Sequence, residues 1–166
     1  MLTCTLFSHS GHNLAMITFI KLLHLFAGIV WLGGMAFMLF ALRPALISQL
    51  EGPARLTFLT QVLQRFFAIV LGAIAVLLLS GLHLYGAGAK AVGMSSIPLG
   101  WHLMFGLGIA MMLVFGHIYF AGFKGLKRAV AAANWPIAAN KAAIIHKMVV
   151  LNFALGIAAV AAVRLL

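Results

Sequence analysis

Acidic side chains are all but missing: Glu51 is the only one in 166 residues, against 11 lysines and arginines, for a formal net charge of +10. One carboxylate excludes paired-carboxylate acid/base chemistry and an oxygen-only cage for Ca²⁺ or Mg²⁺. Cysteine is equally scarce. Cys4 stands alone, which excludes an internal disulfide, a Cys-x-x-Cys-His haem attachment and an iron–sulfur cluster built by this chain alone. No apolar signal precedes Cys4, so it reads as a free thiol and not as a lipidation site. Met1 to Ala15 lacks the positive n-region and apolar h-region of a cleavable signal peptide, so the first span is expected to be retained. Ser80, Ser95 and Ser96 have no His/acid constellation beside them, and Gly86-Ala87-Gly88-Ala89-Lys90 does not match a phosphate-cradling loop.

What is abundant is hydrocarbon. Hydrophobic residues make up 65% of the chain and charged ones 7%, and the mean hydropathy is +1.18; no water-soluble core hides that much apolar surface. Charge-free runs extend from Leu22 to Leu42, Phe66 to Ala89, Ile97 to Phe123 and Met148 to Val163. At a rise of about 1.5 Å per residue, roughly 20 residues cross the hydrocarbon of a bilayer, so the first three suffice alone. The fourth takes in Ala142 to Lys147, with Lys147 and Arg164 snorkelling to the interfaces. The expectation is an all-α, four-transmembrane-helix bundle forming one integral membrane domain over residues 1–166, with spans near 14–42, 65–88, 97–123 and 142–166.

The connections differ in charge. Arg43, Arg55 and Arg65 flank the first, Lys90 alone sits in the second, and Lys124, Lys127, Arg128, Lys141 and Lys147 crowd the third. The positive-inside rule places the first and third in the cytoplasm and both termini on the outer, periplasmic side of a bacterial inner membrane. The +10 then marks orientation and attraction to anionic membrane lipid, and nucleic acid is not expected as a partner. Asn134 is placed to cap a helix opening with Trp135-Pro136, read as a cytoplasmic helix bent into the last span. Arg43-Pro44 is expected to end or kink the first helix, Gly52-Pro53 to mark a turn, and Gly86, Gly88, Gly93 and Pro98 to make the second connection a loop.

Histidine inside a bilayer is a functional candidate by default. His24 lies one turn below Lys21, roughly 4.5 Å by helical rise; His83 and His102 lie at similar depth on helices two and three, so three histidines reach one layer near the outer face. His117 and His146 form a second pair near the inner face, and His9 and His12 read as solvated. A haem between helices needs an imidazole on iron and small residues one turn away. Gly28 follows His24 by four, Gly106 follows His102 by four, and Ser80 precedes His83 by three. The plainer alternatives stand beside this: interfacial histidines, and glycines that let helices approach in lipid. Met35, Met38, Met104, Met111 and Met112 add thioethers, which with imidazole suit soft Cu(I), although methionine is also a common core filler.

The stretch from His24 through Trp31 to Gly33-Gly34, followed by Leu42-Arg43-Pro44-Ala45, resembles the copper-resistance D (CopD)-like membrane family. The resemblance runs on through Arg65-Phe66, Ser80-Gly81-Leu82, Trp101-His102-Leu103-Met104, Phe115-Gly116-His117 and the basic Lys124 to Arg128 stretch. The same His-x6-Trp pattern is similar to HemJ-type protoporphyrinogen oxidases. By that resemblance His24 is an axial ligand of haem b, with His102 or His117 as its counterpart. The oxidases' helix-three lysine is missing, and their Asn-Glu-x-Pro signature is reduced to Asn152-Phe153, which argues against oxidase activity.

Three readings follow. The first is a b-type cytochrome, with haem iron held by His24 and His102, His83 as substitute ligand, Gly28, Trp31 and Gly106 around the ring, and a further site at His117 and His146. Lys21 or Lys90 would pair with propionates, and electrons would pass to a quinone or a periplasmic redox partner, leaving open a haem-dependent oxidoreductase. The second is CopD-like copper transport through His24, His102 and nearby methionines. The third is a non-catalytic subunit of a homo-oligomer or larger complex.

Overall fold

The computed structural model describes the backbone from Thr3 and the side chains from Leu14 through Leu166. Cys4, His9 and His12 lie outside the described side chains. The described residues form helices and short connections with no strand. The elements are α1 (Thr3–Phe37), α2 (Arg43–Gln49), α3 (Gly52–Val92), α4 (Leu99–His117), α5 (Lys124–Ala131) and α6 (Trp135–Leu165). Short π-helical turns, Met38–Leu42 and Ile118–Phe123, join α1 to α2 and α4 to α5 without leaving helical geometry. Four stretches are long and apolar enough to cross a membrane: Leu14–Gln49, Gly52–Val92, Leu99–Ala131 and Trp135–Leu165.

Each stretch is longer than its charge-free run because a basic residue ends the apolar run without ending the helix. Arg43-Pro44 does not terminate the first helix. Pro44 has no N–H to give to the preceding turn, and the π turn before it takes up the misfit, so Pro44 sits in the first turn of α2. The chain breaks only after Leu50, where Leu50 and Glu51 are extended and Gly52 has φ of +44°. The second connection is also shorter than its glycines suggest: Gly86 and Gly88 are helical, and the loop is confined to the 3₁₀ turn Met94–Ser96 and its flanks. Asn134 caps α6 as its sequence context predicts, its Oδ1 accepting from Ile137 N at 3.3 Å. The cytoplasmic helix expected to bend into the fourth span runs into it as one continuous helix, Trp135–Leu165. Its alanine-rich first half contains nothing to break it.

Contacts divide the bundle into two hairpins. α1 packs chiefly on α3 and α4 chiefly on α6, while contacts between the hairpins are spread over several helix pairs. The tightest approach is between α4 and α6, where Gly100 abuts the main chain of Ala162 and Leu166. The hairpins meet closely in the half that carries the first and third connections, the basic end. There Phe67 is buried, with ring centroids 5.4 Å from Phe115 and 5.1 Å from Phe123, both edge-on. Apolar side chains point outward all around; Leu79 and Leu113 are each 71% exposed, as a lipid-facing surface requires. Hydroxyls in the spans return to their own helix: Thr60 donates to Leu56 O at 2.8 Å and Thr57 to Pro53 O at 2.9 Å.

Asn152 is the exception. It is 1% exposed and its Oδ1 has no partner. A buried acceptor left unmatched costs about 1–3 kcal/mol, so Asn152→Leu, close in volume, is expected to hold or raise stability. Asn152→Asp is expected to lower it, by burying a charge. Unfolding in mixed micelles against SDS fraction measures both.

Candidate functional site

At the end opposite the basic one, the seam between hairpins opens into a cavity of about 560 Å³. Each span puts a glycine on the lining, Gly28, Gly81, Gly108 and Gly156; Gly28 and Gly108 open into space, whereas the room at Gly81 is taken by His24 and that at Gly156 by Leu32 and Met111. A Cβ on Gly28 or Gly108 would meet nothing within 4 Å. On α4 the cavity stripe runs Trp101, Met104, Phe105, Gly108, Met111 and Met112, a three-and-four spacing that marks one helix face.

His24 lines this cavity. Its Nδ1 lies 2.8 Å from Ser80 Oγ, and the single hydroxyl hydrogen of Ser80 is committed to Val76 O one turn back. With that hydrogen on Val76 O, Ser80 accepts and His24 donates from Nδ1. In that tautomer Nε2 carries the lone pair, the form in which imidazole binds a metal. Gly81 lets this happen. A Cβ there would stand 3.3 Å from His24 Cε1, so the ring lies against the main chain of α3. In the sequence Ser80 and Gly81 stand out only as part of a motif and as small neighbours of His83; the signal for their role is their shared depth with His24.

The other expected site residues divide between the cavity and its surroundings. Trp31 is buried and lines the cavity, its ring edge-on to Phe115 at 6.2 Å, and Gly28 lines it too. His102 does not line the cavity: one residue past Trp101 on α4, it is turned about 100° off the cavity stripe. Its Nδ1 instead lies 2.6 Å from Tyr85 OH, and Tyr85, which does line the cavity, stacks on Phe105 at 5.0 Å. Tyr85 OH also lies 3.8 Å from Met94 Sδ. Gly106 shares the rotation of His102 and is exposed; Gly108 takes the place expected of it. His83 is exposed, and so is His117. His146 is half-buried and lines a second cavity of about 250 Å³ at the basic end, without His117. Among the described residues no three of His, Cys, Asp or Glu gather closely enough to hold a metal ion.

The donor set of the large cavity is thus one imidazole, His24, and three thioethers, Met104, Met111 and Met112, with Lys21 at its edge and no carboxylate. Such a set suits a soft, low-coordinate cation and does not suit Mg²⁺, Ca²⁺ or a hydrolytic zinc centre.

The family model described as CopD, copper resistance protein D, matches residues 60–166. The match takes in most of α3 and everything after it and leaves out α1, so it does not cover His24. No significant match occurs among curated proteins or among solved structures, and the similarity to HemJ-type oxidases has no counterpart in these comparisons. With well over half of its length matched, this multi-pass membrane chain belongs to the copper resistance protein D family.

Proposed function

We propose that the chain is a copper-handling protein of the bacterial inner membrane that takes Cu(I) into the large cavity from the outer side. The observation that carries the reading is that His24 and the thioethers of Met104, Met111 and Met112 all line one apolar cavity that contains no carboxylate. Cu(I) accepts two or three soft ligands and loses little by leaving water for such a site. Met35, buried beside Trp31 and Met111 in the core, and Met38, which lines the small cavity, continue the run of thioethers toward the basic end. This supports passage through the bundle over storage at one face. The charge asymmetry of the connections supports an outward-facing large cavity.

Haem b is a second reading, favoured by Lys21 standing beside His24 on a cavity large enough for a flat macrocycle. The chain's residues fit it in part: His24 would hold the iron through one imidazole nitrogen, and Gly28 and Gly108 leave room. His102, tied to Tyr85, does not supply the second.

Purified protein titrated anaerobically with Cu(I) against a chromogenic chelator is expected to take up about one copper per chain and to show no Soret band after expression with ample haem. A Soret band with no copper uptake would replace the first reading by the second. Ser80→Ala removes the acceptor that orients His24, and loss of such a partner is worth about 10–100-fold in metal affinity. The same titration is expected to show a loss in that range with the fold intact.

A further inference from the structure

The small cavity at the basic end is built differently from the large one. Ala139, Ala142, Ala143 and His146 form one stripe on α6, at i, i+3, i+4 and i+7, and the three alanines are too short to fill the space facing α2 and the start of α3. The opposing wall is aliphatic, with Leu39, Leu42, Leu56 and Leu59. The polar side chains on the lining are all basic or imidazole: Arg43, exposed at the mouth, and Arg55 and His146, both half-buried. Glu51, the sole acidic side chain of the sequence, is not on the lining. Cations of one sign beside an aliphatic recess, at the level where hydrocarbon meets water, call for an anion that carries its own hydrocarbon.

We propose that this cavity binds one anionic phospholipid, with the phosphate on Arg43, Arg55 and His146 and the upper part of an acyl chain between the α6 alanine stripe and the leucines of the π turn before α2 and of α3. Guanidinium groups meet phosphate oxygens in pairs, which a neutral hydroxyl headgroup cannot match. A soluble anion would gain nothing from the aliphatic wall, and a neutral lipid nothing from the cations. The surrounding bilayer supplies the lipid at high local concentration. The site does not depend on copper binding at His24.

Native mass spectrometry of the purified full chain, re-lipidated with equal palmitoyl-oleoyl phosphatidylglycerol and phosphatidylcholine, tests this. The expected result is one retained phosphatidylglycerol per chain in preference to phosphatidylcholine. A factor of about five per cation near an anionic lipid predicts a loss of about twenty-five-fold in R43Q/R55Q. The control K127Q/R128Q removes the same charge from α5 and is expected to retain the lipid. A142L fills the recess without changing charge and is also expected to lose it. Helical circular dichroism reports whether each variant folds, and A142L keeps the test open if the double-arginine variant does not. Equal loss from both double variants would mean general surface attraction and overturn the proposal. So would full retention by A142L, displacement by an equal concentration of inorganic phosphate, or preference for oleate.

Discussion

His24→Leu is expected to lower Cu(I) affinity by more than about a hundredfold while leaving the helical bundle intact. The size of the effect follows from the donor set. Among the described residues His24 is the one imidazole on the large cavity, and the remaining donors are neutral thioethers on one helix. Loss of a partner that merely orients a ligating histidine costs about 10–100-fold, so loss of the histidine itself must exceed that range. Stability is not at risk in the same way. His24 is half-buried, its ring bonds Ser80, and Ser80 keeps its own bond to Val76 O when the imidazole is gone. Chelator competition with unchanged SDS unfolding is the expected pattern. Copper retention equal to that of the parent would remove His24 from the site and with it the proposed function. His102→Leu is the informative companion, because the site geometry assigns His102 to Tyr85 and so expects a much smaller loss.

Gly100→Leu is expected to cost about 3 kcal/mol of unfolding free energy, at the upper end of what overpacking usually costs. A Cβ on Gly100 would press on the carbonyl oxygen of Ala162 and stand 3.1 Å from its carbon and 3.2 Å from the carbonyl carbon of Leu166. These are main-chain atoms, which cannot rotate aside as a side chain can. The helices must part, and in lipid no hydrophobic term holds them, because hydrocarbon solvates a leucine as well as another helix does. Gly106 is the matched control on the same helix: it is exposed, and a Cβ there would meet nothing within 4 Å. Gly106→Ala is expected to be neutral or to stabilise by about 0.5–1 kcal/mol through helix propensity. SDS-fraction unfolding of the two variants checks the contrast.

The four spans were legible because length without charge is a direct consequence of the bilayer, and the Asn134 cap because its chemistry is local. Helix ends were not. Arg43 and Lys124 end apolar runs, but an arginine or lysine is a good helix former, and the π turns that carry the helices past them leave no mark in composition. Depth is shared by His24, which lines the cavity, and by His102 and Gly106, which do not. Both lie at a suitable height and are rotated off the face that Trp101, Met104, Phe105 and Gly108 define. That stripe is readable from spacing once rotation is weighed with height. The Ser80 contact spans 56 residues, and no periodicity within one helix reports on it.

The division into two hairpins bears on the order in which this protein comes into being. Each hairpin owns a close interface, α1 with α3 and α4 with α6, whereas the large cavity belongs to neither and appears only when the two are docked. Helices can insert, and hairpins can close, before any binding site exists. Ligand capacity is then the last property gained during biogenesis and the first lost when docking weakens. A folded, membrane-inserted and fully helical population can therefore be empty of function, and helix content is a poor measure of how much competent protein a membrane holds.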